Sequence, residues 1–305
     1  MIHPSGDNTP MVSIITLNWN GTNDTIAFLE STRKLSYRNY EILVCDMNSD
    51  VDPADKINSL QFPNTKVLCC DANLGFAAGN NWGMRQAKGD YFFIVNNDTE
   101  LTPELIDLLL EPFAKDPSIA VVCPKIRFYE SRDTIQYAGF TKMNPVTGRT
   151  YCIGDKEKDH GQFDTPGYTY GAHGCAMMVK RSVTDTVGMF PEKFFLYYEE
   201  WDWSSRMMKA GYKIYYQPKA VIYHKESMSV GKNSTLKTYY LSRNRILFMR
   251  RNSNWPQFLM FATFFTVAAF PKAVFSYSIK RQFPFLKAYI RGIIWNFKNS
   301  RYSTV

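Results

Sequence analysis

The sequence has almost no acidic residues in its C-terminal third. Residues 205–305 hold one acidic residue against 18 Lys and Arg, whereas residues 1–204 hold 27 acidic and 18 basic residues. The net charge of +8 therefore combines an acidic body with a strongly basic C-terminal part. Such a division predicts that the basic part meets an anionic partner, either a nucleic acid or a membrane surface.

The sequence also lacks paired cysteines and nucleotide-binding glycine patterns. Its six cysteines show no Cys-x-x-Cys pair, so we expect reduced thiols, as in a cytosolic protein, and no zinc site. Without Walker or dinucleotide-binding spacing, neither an ATPase nor an NAD enzyme is supported. Residues 1–10 are polar and do not resemble a secretory signal, so we expect a disordered N-terminus and a first ordered element near Met11.

Apolar runs typical of buried strands alternate with helical patterns in the first part of the chain. The predicted strands cover residues 11–17, 41–46, 66–70, 91–95 and 119–126, with helices at 76–87 and 103–115. This alternation predicts an α/β fold with a mainly parallel sheet and helices on both faces. Residues 127–170 predict a long, partly mobile loop region. The later predicted elements are a strand at 174–180, a helix at 199–210 and two short strands at 213–217 and 220–224.

Polar residues collect where the predicted strands end. Asn18, Asp46 and the Asn-Asn-Asp run at 96–98 each follow a strand. Ligands of parallel sheets bind beyond the carboxyl ends of the strands, so these exits together predict a site. Asp98 is a candidate ligand for Mg²⁺ or Mn²⁺, which prefer carboxylate oxygen. The alternative is a turn in which Asp98 caps the helix beginning near Pro103.

Three features further along the sequence suggest chemical roles. Glu199, Glu200 and Asp202 stand at the start of a predicted helix, where a carboxylate can act as a general base, although acids also favour helix N-termini electrostatically. His224 ends a predicted strand as a candidate metal ligand, while a lone His is more often structural. The glycines of residues 73–81 let backbone amides approach an anion near a helix N-terminus.

Four segments, taken in order, resemble the family 2 glycosyltransferases of the GT-A fold, and within them the rhamnosyltransferase-like branch that builds surface polysaccharide. They are residues 12–21 (VSIITLNWNG), 41–50 (EILVCDMNSD), 73–104 and 171–227, within a match over about residues 11–250. The resemblance implies inverting transfer of a sugar from a nucleotide-diphosphate donor to a hydroxyl of a lipid-linked or polysaccharide acceptor. The donor would be a dTDP- or UDP-sugar, with rhamnose as one candidate.

The resemblance also implies residue roles and a divalent metal cofactor, Mg²⁺ or Mn²⁺. Asp98 matches the last residue of the family's DxD-type metal motif, and His224 matches a metal-ligating histidine of some members. Glu199 and Glu200 match the acidic pair whose second member is the base. The implied donor-binding residues are Thr16, Asn18, Asp46, Asn73, Gly79 and Asn97.

Three departures from the family pattern leave roles open. Met47 stands where Asn usually follows the strand-end Asp, which puts the nucleoside contacts in doubt. Asn96 occupies the first position of the metal motif, so Asp98 is its only carboxylate. Glu200 replaces the usual Asp and is one methylene longer, so Glu199 or Asp202 remains an alternative base.

The C-terminal extension, residues 251–305, is basic, aromatic and helical in pattern. Residues 258–270 carry no charge, but a membrane span needs about 20 apolar residues, so we expect a helix lying among lipid headgroups. The protein would then be cytoplasmic and peripheral on the inner face of the cell membrane. Packing of these aromatics on the catalytic domain (residues 11–250) is the alternative. Nucleic-acid binding is disfavoured because the extension is too apolar for a phosphate-tracking surface.

The sequence is also compatible with two other functions. One is a nucleotide-sugar or nucleotidyl enzyme on the same scaffold that acts on a soluble acceptor. The other is a non-catalytic protein that binds nucleotide sugars or acts in assembly, which the departures at Met47 and Asn96 would favour.

Overall fold

The computed structural model describes residues 9–225 and 234–302, and its centre is one ten-stranded sheet. The strands are β1 (Val12–Asn18), β2 (Tyr40–Asp46), β3 (Thr65–Cys69), β4 (Tyr91–Val95), β5 (Thr99–Leu101), β6 (Ile119–Phe128), β7 (Ile135–Tyr137), β8 (Gly167–Thr169), β9 (Ala176–Lys180) and β10 (Lys213–His224). Their order across the sheet is β3-β2-β1-β4-β9-β6-β10-β5, with β7 on β6 and β8 on β10.

Of the described helices, six lie between strands in the chain and four follow the last strand. They are α1 (Thr22–Thr32), α2 (Ala54–Ser59), α3 (Gly75–Gln86), α4 (Leu105–Lys115), α5 (Arg181–Val187), α6 (Glu199–Lys209), α7 (Thr235–Asn252), α8 (Trp255–Phe264), α9 (Phe270–Ile279) and α10 (Phe283–Lys298). A π-helical turn, Phe265–Ala269, joins α8 to α9. Helix α3 packs against β1 and β2, and α4 packs against β6 and β10. The predicted α/β class with a C-terminal helical segment is confirmed.

The first half of the sheet is parallel, as predicted. Strand β1 pairs in parallel with β2 and β4, and β2 pairs in parallel with β3. Strands β1, β2 and β4 are apolar and buried almost throughout, which is expected where helices cover a parallel sheet. The register sets Asn18 opposite Asp46, so the polar exits of β1 and β2 meet at one edge.

The second half of the sheet is mixed. Strand β9 runs antiparallel between β4 and β6, while β10 is parallel to β6. The short strand β5 pairs antiparallel with β10 and sets Thr99 opposite His224. Because β5 directly follows the Asn-Asn-Asp run, this pairing carries His224 to Asp98. The antiparallel strands were absent from the prediction because local periodicity does not reveal strand direction.

Residues 129–170 are organised by long-range contacts. Strands β7 and β8 lie here, and isolated bridges pair Phe140 with Cys152 and Asn144 with Arg149. The buried ammonium of Lys125 donates to Asp159 over 2.9 Å and also to Asp164. The prediction of one long loop was therefore incomplete, since these pairings join residues that have no helical or strand pattern of their own.

Helix α10 packs on the rest of the protein. A Cβ on Gly292 would clash with the backbone and hydroxyl of α7 around Ser242, so glycine permits the close approach of the two helices. The guanidinium of Arg243 lies 4.5 Å from the ring centroid of Trp295. One side of α10 therefore packs against the catalytic body, as in the alternative, and a position of this helix among lipid headgroups stays a prediction.

The stretch from Trp255 to Ile279 forms one helix of 25 residues. In its most apolar part, 11% of the residues are buried inside the protein. Among the described residues it is the one helix long and apolar enough to cross a membrane, by length and composition only. The sequence suggested an interruption at Pro271, but the helix continues through it, because the π-helical turn directly before it accommodates the proline. The uninterrupted helix leaves a long apolar surface uncovered.

Candidate active site

A hydrogen-bonded network joins the carboxyl ends of β1, β2 and β4. Asn18 donates its amide to Oδ1 of Asp46 over 2.6 Å and accepts from the hydroxyl of Thr25 over 2.8 Å. Nδ2 of Asn97 donates to the same Thr25 oxygen over 2.8 Å. Ser49 donates its backbone N–H and its hydroxyl to Asp46 over 2.9 and 2.6 Å. The structure thus brings the predicted residues Asn18, Asp46 and Asn97 together.

The residues predicted to line a nucleoside pocket lie beneath the surface of this edge. Thr16, Asn18 and Asp46 are all buried, and Oγ1 of Thr16 has no hydrogen-bond partner. The exposed groups of the edge include Asn48 and the indole of Trp19, which is 44% exposed. Sequence reasoning missed Trp19, although an aromatic residue directly after a strand-end Asn was an available signal.

The two residues predicted to close over the donor lie at the start of α3. Asn73 is exposed, and its Oδ1 accepts a hydrogen bond from the backbone N–H of Gly75 over 2.9 Å. A Cβ on Gly79 would come within 2.9 Å of Sδ of Met47. Gly79 therefore permits close packing of α3 on the sheet, and Asn73 is the residue of the two that faces solvent.

Asp98 and His224 form a buried pair suited to a metal ion. Nε2 of His224 lies 3.1 Å from Oδ1 of Asp98, and yet this oxygen accepts no well-oriented hydrogen bond. Nδ1 of His224 lies 2.8 Å from Oε1 of Gln136. Asp98 and the other buried neighbours favour a protonated imidazole when no metal is bound. A cation would displace the Nε2 proton, and the Nδ1 proton donated to Gln136 would then hold the tautomer that binds metals.

The donor set of this pair fits a divalent cation. A buried carboxylate oxygen without a donor is costly unless a cation or ligand reaches it, and imidazole with carboxylate is a combination that binds Mn²⁺. Within residues 9–225 and 234–302, no three His, Cys, Asp or Glu side chains are arranged so that together they could hold a metal ion. An ion held here would therefore take its other ligands from water and phosphate oxygens. No helix is capped by Asp98, since β5 separates it from α4.

Buried neighbours control the charge on His224. Burial acts to lower the pKa of His224, but the nearby Cys175 thiol and Asp98 outweigh it, and the net shift is upward. Burial and the charge of His224 lower the pKa of His173 to about 3, so His173 is neutral at physiological pH. Sequence reasoning missed Gln136, His173 and Cys175, because each meets His224 only through folding of the sheet.

Glu199 and Glu200 begin α6 and are held largely out of water. Glu199 is 3% exposed, Glu200 is half-buried, and Oε2 of each lacks a hydrogen-bond partner. Burial raises the pKa of Glu200 to about 7. Burial and the neighbouring Glu200 carboxylate raise the pKa of Glu199 well above its usual range. Near neutral pH the pair therefore keeps a proton on Glu199 and leaves Glu200 able to accept one.

Gly174 links the acidic pair to the metal-binding candidate. A Cβ on Gly174 would lie 4.0 Å from the carboxyl carbon of Glu200. The carbonyl of the next residue, Cys175, accepts a hydrogen bond from the backbone N–H of Asn96 over 2.8 Å. Since Asn96 begins the run that ends at Asp98, the fold brings Glu200 and Asp98 to the same end of the sheet.

Side chains of α7 hold the loop that precedes the acidic pair. Phe195, Tyr197 and Tyr198 have φ values of 64°, 69° and 74°, which are unusual for residues other than glycine. The fully buried amide of Asn244 donates to three carbonyl oxygens of residues 194–197 over 2.7–3.0 Å. Arg243 donates over 2.6 Å to the Phe194 carbonyl, which Asn244 also contacts, and over 2.8 Å to the carbonyl of Lys193. Sequence reasoning missed this clamp, which fixes the position of α6.

Asp202, the third acid of the cluster, is engaged by ion pairs. Its carboxylate accepts from Nε of Arg251 over 2.7 Å, from Nε of Arg206 over 3.1 Å and from Nδ2 of Asn252 over 2.8 Å. The side chain is fully buried. A carboxylate so occupied joins α6 to α7 and has little capacity to accept a proton from a substrate.

Comparison with known proteins identifies the family of this chain. The family model described as Glycosyl transferase family 2 matches residues 13–188. An N-acetylglucosaminyl-diphospho-decaprenol L-rhamnosyltransferase of Mycobacterium tuberculosis is 25% identical over 251 residues, which cover 75% of this chain and 80% of the relative. A UDP-Glc:alpha-D-GlcNAc-diphosphoundecaprenol beta-1,3-glucosyltransferase of Escherichia coli is 32% identical over 90 residues, 29% of this chain and 35% of the relative.

Solved structures share the fold. A mannosyltransferase from Pyrobaculum calidifontis, in complex with GDP-Man and Mn²⁺, matches with a TM-score of 0.58 and 14% identity over 94% of this chain and 85% of its own. GalNAc-T7 with UDP, GalNAc and Mn²⁺ matches with a TM-score of 0.63 and 16% identity; the match covers 78% of this chain and 48% of GalNAc-T7. Since the family model covers more than half of its residues, the chain belongs to glycosyl transferase family 2 and is a glycosyltransferase of the GT-A fold, similar to rhamnosyltransferases.

Proposed function

We propose that this glycosyltransferase moves a sugar, with inversion, from a nucleotide diphosphate to a hydroxyl of a lipid-linked or polysaccharide acceptor in cell-surface glycan synthesis. A dTDP- or UDP-sugar is the proposed donor, and rhamnose is a candidate sugar. One observation carries the proposal. The buried pair Asp98 and His224, in which Oδ1 of Asp98 lacks a well-oriented donor, and the half-buried Glu200 lie at the same end of one sheet.

The proposed reaction is a single displacement. The acceptor oxygen attacks the anomeric carbon, the bond from that carbon to the diphosphate oxygen breaks, and the nucleoside diphosphate leaves. The acceptor hydroxyl proton passes to Glu200, whose pKa of about 7 suits a base working near neutral pH. Glu199 stays protonated beside it, and Asp202 holds α6 in place through its arginine partners.

Asp98 and His224 are the proposed metal ligands. A divalent cation there would neutralise charge on the donor diphosphate and on the leaving group. Gln136 orients the imidazole through its hydrogen bond to Nδ1, in the way that an outer-shell partner fixes a ligating histidine.

The donor nucleotide is proposed to lie along the carboxyl edge of β1, β2 and β4. The buried network of Asn18, Asp46 and Asn97 shapes this edge, with Thr16 beneath it. Direct contacts to the donor would then come from exposed groups. Among them, Trp19 supplies a ring face on which the nucleobase can stack. The exposed Asn73 is proposed to close over the donor, and Gly79 is proposed to act through the packing of α3.

The acceptor is proposed to be a saccharide on a lipid diphosphate at the inner face of the cell membrane. The names of the two curated relatives describe acceptors joined to a polyprenol through a diphosphate. In this chain the helix Trp255–Ile279 exposes an apolar surface that a lipid phase would cover. We propose residues 11–250 as the catalytic domain and residues 251–305 as a membrane-associating extension, with α10 attaching the extension to α7.

A transfer assay tests the proposed function. The purified chain, with Mn²⁺ or Mg²⁺, is offered a panel of nucleotide sugars and a synthetic polyprenyl-diphosphate N-acetylglucosamine. We expect transfer from at least one dTDP- or UDP-sugar, with the anomeric configuration of the product opposite to that of the donor. Transfer to free soluble saccharides alone, or a product that retains the donor configuration, would contradict the proposal.

A further inference from the structure

A cavity of about 400 Å³ lies between the catalytic body and the C-terminal helices. One wall is the segment around Arg149, and a second is α7 with Arg245. Tyr198 and Trp201 from the start of α6 form a third wall, and Tyr289 of α10 forms part of a fourth. None of the metal or donor residues described above lines this cavity. Through Tyr198 and Trp201 this cavity borders the start of α6, where Glu199 and Glu200 stand, and neither acid is among its lining residues.

The cavity concentrates positive charge without a carboxylate to balance it. Arg245 is 7% exposed, and its guanidinium donates to the carbonyl oxygen of Thr147. Among the described residues, neither Arg245 nor Arg149 forms an ion pair with Asp or Glu. Burial and the neighbouring Arg149 both lower the pKa of Arg245, as expected for like charges facing one another. Two arginines on one cavity, one of them buried, are costly unless an anion joins them.

The cavity also contains a hydrogen-bond donor without a partner. The hydroxyl of Tyr289 is buried and has no hydrogen-bond partner, and burial raises the pKa of this phenol, so it remains a donor. Tyrosine and arginine side chains together make the donor set that recognises phosphate oxygens.

The far side of the cavity is apolar and continues onto the exposed helix. Phe265 and Tyr277 line the cavity from the Trp255–Ile279 helix. Beyond them the same helix exposes Val267, Phe275 and Ile279. One molecule entering the cavity would therefore meet the two arginines and then an apolar surface that leads out along the helix. Its opposite end would face Tyr198 and Trp201 at the start of α6.

We propose that this cavity binds the diphosphate of a polyprenyl-diphosphate-linked acceptor through Arg149, Arg245 and Tyr289. The inference rests on the proposed function, and it assigns the acceptor subsite. The saccharide points past Tyr198 towards Glu200, and the polyprenyl chain lies along the helix Trp255–Ile279. This arrangement explains why a glycosyltransferase body packs against an apolar helix through a cavity lined by arginines.

A binding experiment tests the subsite separately from catalysis. Calorimetry is carried out in EDTA, so that diphosphate does not bind through a metal at Asp98 and His224. The probes are farnesyl diphosphate, inorganic pyrophosphate and farnesol. The variants are Arg149→Gln, at an exposed position, and Arg245→Gln. The control is Arg38→Gln, which removes an exposed arginine that is distant in the sequence from both. Thermal unfolding midpoints verify that each variant is folded.

We expect farnesyl diphosphate to bind wild type and Arg38→Gln equally. Binding to Arg149→Gln and Arg245→Gln should be weaker by about tenfold or more, the loss typical of removing a charged hydrogen bond. Equal affinity of wild type and Arg149→Gln would overturn the proposal. Farnesol binding as tightly as farnesyl diphosphate would overturn the anion site, and pyrophosphate binding as tightly would overturn the lipid assignment.

The transfer assay separates this proposal from the proposed function. If wild type glycosylates the lipid-linked acceptor and Arg149→Gln leaves the KM for that acceptor unchanged, the subsite is wrong and the function stands. If farnesyl diphosphate binds as expected but no lipid-linked saccharide is glycosylated, the proposed function is wrong and the diphosphate site stands.

Discussion

Nε2 of His224 lies 3.1 Å from Oδ1 of Asp98, although the two residues are far apart in the chain. The pairing of β5 with β10 produces this contact, because β5 begins directly after Asp98 and β10 ends at His224. The backbone N–H of Lys225 also donates to the carbonyl of Asp98 over 3.0 Å. The two side chains are thus held together by backbone geometry, with the carboxylate oxygen left free for a ligand.

Replacing Asp98 tests the proposed metal site. We expect Asp98→Ala to abolish the part of UDP or dTDP binding that EDTA removes from wild type, because one of two protein ligands is lost. Calorimetry with and without Mn²⁺ measures this. Asp185→Asn, an exposed acid of α5, is the matched control and should bind as wild type does. Metal-dependent binding that persists in Asp98→Ala would place the ion elsewhere.

Replacing Asp202 distinguishes a structural acid from a base. Asp202→Asn leaves Arg206 and Arg251 without their charged partner, and loss of one member of a buried pair costs about 3–5 kcal/mol. We expect a lower free energy of unfolding by denaturant and an unchanged shape of the pH–rate profile in the folded variant. Unaltered stability together with a large loss of turnover would instead identify Asp202 as the base.

The pH dependence of transfer follows from the state of Glu200. A base must be unprotonated, and burial raises the pKa of Glu200 to about 7. We therefore expect kcat/KM to rise as the pH increases through about 7 and to level off above it. Nucleotide binding, measured over the same range, separates this effect from titration at the donor site. A profile that is flat between pH 5.5 and 8.5 would show that the base has an ordinary carboxyl pKa.

Vesicle sedimentation tests the apolar helix. We expect wild type to sediment with anionic vesicles, and less so at high salt, since basic residues of the extension attract the surface and salt screens them. Changing the exposed Val267, Phe275 and Ile279 to Ser should reduce sedimentation. Val51→Ser, an equally exposed apolar residue of the body, should not. Wild type that stays in the supernatant at low salt would contradict membrane association.

Much of the fold was predictable because buried strands leave a local signal. The strand Tyr91–Val95 was predicted to the residue, and the first three strands differ from prediction by one residue at their ends. Such strands are short apolar runs between polar breaks, which periodicity detects well. The order of Asp98, the acidic pair and His224 along the chain was also visible, so their common location followed from the resemblance.

The remaining features depend on contacts between distant segments. The runs at 213–217 and 220–224 form one strand, β10, whose register shifts near Pro218 where they were expected to separate. Gln136 and Asn244 carry no local sign of their partners, since a hydrogen bond to a distant segment leaves no periodicity. The long C-terminal helix was missed because Pro271 reads as an interruption, whereas the preceding π-helical turn accommodates it.

The role of Glu200 as the base is tested most directly by the rate of sugar transfer by Glu200→Gln. Nucleotide affinity is measured in parallel, and Glu199→Gln is the matched variant. We expect Glu200→Gln to keep the nucleotide affinity of wild type and to lose about 10²–10⁴-fold in turnover, the range typical of removing a general base. Glu199→Gln should lose far less, because glutamine resembles the protonated acid that Glu199 provides. If Glu200→Gln turned over at the wild-type rate, Glu200 would not be the base that accepts the acceptor proton.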